Sequence, residues 1–554
     1  MTAMFGLWAV TRHTVKQCLR TKVAGLFILL LTVAMIILPF TMRGDGTLAG
    51  AVRTFLAYST SITAMLLSLV TVFLTVGIVT GDVRQKLIFS VATKPVARWQ
   101  YIAGRWAGVV LLNALLLAVA GGSIYGLSQY LRGREALNPT DRRTVETEVF
   151  TARARVAPQP LDVQGEVARR VQELRDKGEY DDVIASYIAY SPGDETLALQ
   201  HLQQDLTMQI SEAMQSVAPQ KSVMWRFEGI NVAERQRSAT GTILNVNSGA
   251  SVVVVQAEPK LVAQLIHSGP IRVDGADGRI VAVESDAFAV EFNKEQMAVG
   301  GDASRLAAGR QVELLIDPVI QLTFKTAASS NPPDNQLRGV WQMQNPSTGF
   351  THLEDRSDPP MLPATLVVST RVVDEAGKTA LMYINPYPTA TVRAFSTSVT
   401  ILQNDVAVLY KVGSFGQNVA RAMLLIWVQL AFLAGLGVLA ASFLSFPVAC
   451  VFTLFLLVVQ RTMGFLMEAT DPNPSPSAKP GVFDYFSHYI VLGLKWLLPG
   501  SEGPAPSDAL VDGMQITSAA MADATLKTLA VVTTLLLLMA CVIFSKRELA
   551  RVQV

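Results

Sequence analysis

The stretch GIVTGDVRQKLIFSVATKPVARWQYIAGRWAG, Gly77 to Gly108, sets a short charged hairpin between two segments apolar enough to cross a membrane. Arg84, Lys86, Lys94, Arg98 and Arg105 all fall in it, and such a cluster of cations beside apolar spans reads as cytoplasmic. A hairpin fixed between two spans on that side is a place where an energised partner can move both.

Working outward, Phe55 to Thr80 and Tyr101 to Leu131 flank the hairpin as the second and third spans. Val23 to Met42 is long enough to cross a hydrocarbon core of about 30 Å, and too long for a signal-peptide core. Ala422 to Gln460 carries no charged residue and has room for two helices, broken at Ser445-Phe446-Pro447. Leu526 to Phe544 is the last span. Six spans put both termini on one side, and Arg12, Lys16, Arg20 and Lys22 before the first span agree with Lys546, Arg547 and Arg551 after the last that this side is cytoplasmic. The fold class expected is a polytopic α-helical membrane protein with six transmembrane helices and a large α+β, mainly β-sandwich, extracytoplasmic domain between helices 3 and 4.

Four regions follow. Residues 1–22 form an amphipathic interfacial helix on the cytoplasmic side, with Met4, Trp8, Val15 and Leu19 on one face and Arg12, Lys16 and Arg20 on another. Residues 23–131 hold helices 1–3 and the hairpin 81–100. Residues 132–420 form the extracytoplasmic domain, helical over 132–220 and β-rich over 221–420. Residues 421–554 hold helices 4–6. Within them DYFSHYIVLGLKWLLP, 484–499, is short and carries Asp484, His488 and Lys495, so it reads as a re-entrant or interfacial segment.

In the external domain, Leu199, Leu202, Leu206 and Ile210 recur at helical spacing. From Val223 short alternating runs bounded by turns take over. GRIVAVESDAFAVEF followed by LAAGRQVELLID suggests a small barrel over 240–317, and GVWQMQN, ATLVVSTRVV, ALMYINP and VAVLYKV supply a sandwich around it. Trp225, Trp341, Tyr383 and Tyr387 are candidates for stacking on a glycan, although aromatics at alternating strand positions more often fill a core.

Half the residues are hydrophobic (50%) and 16% are charged, with the apolar residues concentrated at the two ends. A net charge of +2 argues against nucleic acid as a partner. The 3 cysteines, Cys18, Cys450 and Cys541, lie in or beside apolar segments, so the long middle folds without disulfides. No G-x-x-x-x-G-K-[ST] occurs, so the chain has no Walker A loop for ATP phosphates. The 5 histidines are scattered, and neither H-E-x-x-H nor C-x-x-C is present, so no metal site is supported. Asp181-Asp182 and Glu354-Asp355 read as solvated loop charges. Arg461 is the notable cation within a span, a candidate intramembrane functional charge, or a side chain that snorkels or pairs with Glu468.

Asp82 to Ser90 reads as a short helix whose apolar side, Val83, Leu87 and Ile88, docks in a groove on a partner, with Arg84 and Lys86 elsewhere. Lys94 and Pro95 break the chain, and Arg98-Trp99 starts the next helix. Trp99 and Trp106, like Arg98 and Arg105, recur at i+7 as an interfacial anchor, and Gly104 and Gly108 form a G-x-x-x-G that permits close helix packing.

With these residues the chain resembles the permease subunits of ABC transporters of the ABC-2, type V exporter-like, class. In that class the second span is followed by an acidic residue, a short helix, a [ST]-K-P turn, an Arg beside an aromatic and a Gly-Lys/Arg pair. The matching positions are Asp82, Thr93-Lys94-Pro95, Arg98-Trp99 and Gly104-Arg105. SFLSFPVA, the segment 484–499 and the closing Phe544-Ser545-Lys546-Arg547-Glu548 extend the likeness, which covers residues 1–131 and 421–554. Two features depart from it: Lys86 stands where many members have Gly, and the external domain is far larger than a minimal permease needs.

The resemblance implies a multi-pass protein of the bacterial inner membrane that is not itself an enzyme. Asp82, Val83, Arg84, Lys86, Leu87, Ile88, Lys94, Pro95 and Arg98 would contact a separate ATPase subunit, which would hold the ATP and Mg; this chain holds no cofactor. A second permease chain, identical or not, would complete the complex in the lipid bilayer. Two functions stay open: export of a substrate, or mechanotransmission, in which helix motion rearranges the external domain to act on an envelope protein or glycan. A membrane-anchored sensor without a motor gives no reason for six spans.

Overall fold

The computed structural model describes residues 2–41, 44–84, 97–160, 162–190, 195–232, 237–247, 251–258, 262, 270–284, 286–292, 306–330, 334–386, 397–471, 481–498 and 505–546. The chain forms two compact units, Met1–Ala152 with Gly413–Val554, and Arg153–Val412.

The first unit opens with α1 (Thr2–Arg20) and α2 (Lys22–Thr41), bent by 67° between Gly6–Arg20 and Gly25–Leu38. Then come α3 (Leu48–Arg84, 37 residues) and α4 (Arg98–Arg132, 35 residues). At a rise of about 1.5 Å per residue each is over 50 Å long, well beyond a hydrocarbon core of about 30 Å. A short α5 (Pro139–Thr144) runs on into a π-helical turn, Val145–Val149. The Asp141 carboxylate accepts from the backbone N–H of Leu48 at 2.8 Å and Ala49 at 2.9 Å, so it caps the start of α3 from 92 residues away. Val145, Val149 and Phe150 are buried with Phe55, Phe415 and Leu510. The outer block expected over 132–420 therefore loses its first residues: this capping and packing ties 133–152 to α3, and the second unit begins at Arg153.

The second unit begins in β1 (Thr151–Val156) and three helices, α6 (Val163–Asp176), α7 (Tyr180–Tyr190) and α8 (Glu195–Gln215). Ile184 and Leu202 are buried between them, with Leu199 and Leu206 packed alongside. Asp181 and Asp182 sit in the first turn of α7, where carboxylates favour the helix dipole, and not in a loop.

Strands follow: β2 (Ser216–Val217), β3 (Ser222–Phe227), β4 (Arg237–Asn247), β5 (Val252–Ala257), β6 (Pro270–Val273), β7 (Ala276–Val283), β8 (Ala287–Phe292) and β9 (Gln311–Ile316). After them come β10 (Val319–Lys325), β11 (Ala327–Ala328), β12 (Leu337–Gln344), β13 (Thr351–Asp358), β14 (Pro363–Ser369), β15 (Thr379–Ile384), β16 (Val399–Thr400) and β17 (Ala407–Ser414). Strands β4-β5-β8-β7-β6-β9 close a barrel, which is inserted in the chain between β3 and β10. The remaining sheets run β1-β17-β10-β14 and β13-β12-β15-β3, with a small β11-β16-β2 sheet.

Alternation explains the sandwich core. Inward positions of β10, β12, β15 and β3 bring Phe324, Trp341, Tyr383 and Trp225 together, with ring centroids 3.9 Å apart for Phe324–Trp341 and 4.7 Å for Trp341–Tyr383. Gly339 makes room for the Tyr383 ring, since a Cβ there would lie 2.2 Å from it. Trp225, Trp341 and Tyr383 are each at most 2% exposed and cannot stack on a glycan; Tyr387 lies outside the described residues. Charged pairs stitch the barrel to the sandwich: Arg371 Nη1 to Asp277 Oδ1 at 2.8 Å, and Arg279 Nη1 to Glu354 Oε1 at 3.6 Å. Glu354 and Asp355 therefore belong to strand β13 and are engaged, Asp355 by Arg338, and are not solvated loop charges. Burial pushes the Glu354 carboxyl up, but His352, whose Nε2 lies 3.5 Å from Glu354 Oε2, and the charges of Arg279 and Arg356 prevail and hold it below its ordinary range.

The chain then re-enters the first unit as α9 (Phe415–Phe443), α10 (Phe446–Arg461), α11 (Met463–Ala469), α12 (Val482–Leu497), α13 (Pro506–Val511) and α14 (Ser518–Lys546). Ser414 caps α9 by accepting from Gln417 N, and Pro447 sits in the first turn of α10, where its missing N–H is harmless. Helices α3, α4, α9 and α14 are long and apolar enough to cross a membrane; counting each bent pair, α1–α2 and α10–α11, as one span gives up to 6. A bend of 60° follows Arg461, so Arg461 and Glu468 no longer share one helical face; both are exposed.

Candidate coupling site

Asp82 is an isolated acid in an apolar helix, and Arg105 an isolated base on its neighbour. The structure pairs them: Arg105 Nη2 donates to Asp82 Oδ2, and the Tyr101 hydroxyl donates to the same oxygen. Asp82 is 2% and Arg105 7% exposed. The second guanidinium nitrogen, Nη1, donates to Gln17 Oε1 at 2.6 Å and Thr14 Oγ1 at 3.2 Å, so one side chain holds α1, α3 and α4. Helix α14 joins them, because Phe544 stacks on Tyr101 at 5.6 Å and Arg98 Nη1 donates to the Ser545 carbonyl at 2.8 Å. A cation on the last carbonyls of a helix is favoured by the helix dipole.

Close backbone approach makes this cluster possible. Helix α1 runs parallel to the start of α4: a Cβ on Gly104 would lie 2.7 Å from Val10, and one on Gly108 would lie 2.5 Å from Thr14. Gly104 and Gly108 are thus the floor on which α1 lies. Thr11, Thr14 and Cys18 form its buried face, while Trp8 and Leu19 are exposed and Val15 is half-buried. Helix α1 is therefore docked along α4 by a third face, Thr11, Thr14 and Cys18, beside the apolar and basic faces expected.

The predicted docking residues divide. Asp82, Val83 and Arg84 are the last turn of α3, so the first three positions of the expected new helix continue α3 instead, and the rest of it, from residue 85 to Ser90, lies outside the described residues. Asp82 is turned inward by its pair with Arg105, so it is a clamp and not a docking surface. Arg84 and Arg98 are exposed beside it, as are Arg12 and Lys16 on α1. Lys86, Leu87, Ile88, Lys94 and Pro95 lie outside the described residues. Arg105 and Trp106 do not form the anchor expected: Arg105 is buried, and Trp106 Nε1 donates to the Ala431 carbonyl at 2.8 Å. In the opposite sense Trp427 Nε1 donates to Val110 O at 3.1 Å, tying α9 back to α4.

From the sequence, Thr14, Gln17 and Tyr101 carry no assigned role, and Phe544 enters only through the closing Phe544–Glu548 likeness. The available signal was spacing: Tyr101 and Arg105 are i, i+4 on α4, and Thr14 and Gln17 are i, i+3 on α1, so each pair shares a face. The arrangement holds no nucleophile–base pair, and among the described residues no group of three or more His, Cys, Asp and Glu side chains could hold a metal. What it can do is mechanical: it fixes four helix ends together around a charged core.

Comparisons with protein-family models, curated proteins and solved structures give no match to this chain.

Proposed function

We propose that this chain is the permease subunit of an ABC-2-like exporter, with six spans in a bacterial inner membrane. Both termini and the hairpin 81–100 face the cytoplasm, and Arg153–Val412 lies outside. A separate ATPase subunit supplies the ATP chemistry and a second permease chain completes the pair. The observation that carries this reading is the cluster of Asp82, Tyr101, Arg105, Thr14 and Gln17, because it makes α1 and the two helices bounding the hairpin move as one body. With α3 and α4 longer than a bilayer core, these ends project into the cytoplasm and present Arg12, Lys16, Arg84 and Arg98. The test is Arg84→Glu with Arg98→Glu in the assembled complex. Loss of stimulated ATP hydrolysis with α1 still protease-resistant supports the reading; unchanged stimulation contradicts it.

Mechanotransmission is the second reading, and one observation favours it. Strand β17 ends at Ser414 and α9 begins at Phe415, so no linker separates the outer unit's last strand from a central helix of the first. Helix α9 is tied to α4 through Trp106 and Trp427, so within the first unit α4 is bonded to the helix that directly follows β17 in the chain. Inserting Gly-Ser-Gly-Ser between Ser414 and Phe415 uncouples transmission without closing a substrate path. Retained efflux with lost envelope function supports this second reading; loss of neither contradicts it.

A further inference from the structure

An open, apolar groove of about 570 Å³ runs between α9 and the start of α14. Met521, Ala522, Leu526, Leu529 and Ala530 line it at helical spacing, and Arg421 stands at its mouth. We propose that it binds a glycerophospholipid, with the phosphate on Arg421 and an acyl chain along α14; the assignment rests on these helices lying in a bilayer.

Two independent features single this groove out. Arg53 and Arg132, the cations near the opposite ends of α3 and α4, are matched by Glu148 and Glu146, whereas among the described residues Arg421 has no carboxylate partner. Among the described residues its one hydrogen bond is from Nη1 to the Ile516 carbonyl, at 3.0 Å, so a guanidinium with donors to spare sits beside apolar surface. A phosphate is the complementary anion for such a fork. The groove wall is also unusual in its backbone. Thr525–Thr533 is π-helical, with Thr533 Oγ1 donating to the Thr528 carbonyl at 2.7 Å, and π segments are rare and frequent at functional sites. From Ser518 to Ala530 the lining extends about 18 Å along the helix, enough for most of an acyl chain. A second copy of the chain pressed onto this groove would have to bury the Arg421 charge, which the groove itself does nothing to neutralise.

The experiment is native mass spectrometry of the full chain in detergent, titrated with dioleoylphosphatidylglycerol or with dioleoylglycerol, which has the same chains and no phosphate. The wild type is expected to hold the phospholipid at least tenfold more tightly than the diacylglycerol, the worth of about one charge-assisted hydrogen bond. Arg421→Gln removes that difference. Ala522→Trp fills the groove from an exposed position, leaves the fold intact and blocks both lipids. Equal binding of the two lipids, or a preference that survives Arg421→Gln, overturns the proposal. So does efficient disulfide formation between two copies of an Ala522→Cys chain, because the groove would then be a protein interface. Loss of ATPase coupling alone does not bear on lipid binding, so failure of the transporter reading and failure of this one are distinguishable.

Discussion

Removing the Asp82 carboxylate strands a buried guanidinium. The side chains of Asp82 and Arg105 are 3% and 8% exposed, so solvent screening does little to weaken their interaction. Breaking a buried pair from one side costs about 3–5 kcal/mol, because the remaining charge stays desolvated. In Asp82→Ala the Tyr101 hydroxyl also loses its acceptor, which places the expected loss at the upper end of that range. The triple change Asp82→Leu, Arg105→Met, Tyr101→Phe removes every group that would be orphaned. Thr14 is still satisfied, since its hydroxyl donates to Val10 O at 2.8 Å, and Gln17 is half-buried and can reach water. The triple variant should therefore recover to within about 1–2 kcal/mol of wild type. Denaturant titration in mixed micelles, followed by tryptophan fluorescence, gives the free energies, and limited proteolysis of α1 shows whether it has detached. A stability of Asp82→Ala within about 0.5 kcal/mol of wild type, or a triple variant as unstable as the single one, refutes the argument.

Gly104→Val drives a branched side chain into Val10, so α1 should become protease-sensitive at an overpacking cost of about 1–3 kcal/mol, while Gly122→Val, with no atom within 4 Å of its Cβ position, leaves α1 protected. Asp141→Ala removes the cap on Leu48 and Ala49 and should destabilise the start of α3 by about 1–2 kcal/mol, seen as faster hydrogen exchange at those amides. The lowered Glu354 carboxyl contributes stability that is fully present above its ordinary value of 4.5 and is lost as pH falls through its lower folded value. Glu354→Gln should flatten that acid limb of a pH–stability curve for the full chain, and an unchanged limb counts against the Arg279–Glu354 stitch.

Hydropathy made the long apolar helices readable, because a run as long and uncharged as Ala422–Gln460 is what a hydrocarbon core requires. Strand alternation likewise exposed the inward positions of Trp341 and Tyr383, whose burial follows from period 2. Helix ends were harder. Val83 and Arg84 continue α3 because nothing after Gly81 breaks a helix until beyond Arg84, and Asp82 looks like a helix start only while Arg105 is out of view. The third face of α1 was hidden for a similar reason: Val10, Thr14 and Cys18 are unremarkable until Gly104 and Gly108 lie beneath them. The Asp141 cap joins residues 92 positions apart, a distance at which local pattern carries no information.

The central claim is that the exposed cations around the Asp82–Arg105 clamp touch an ATPase. A photo-crosslinking amino acid at Arg84 or Arg98, activated in native membranes holding the full chain, tests it directly. The account predicts a crosslinked polypeptide that is labelled by azido-ATP and is lost when the label is moved to exposed Leu353 on β13. Crosslinks to lipid alone, or to a protein that binds no ATP, would contradict it.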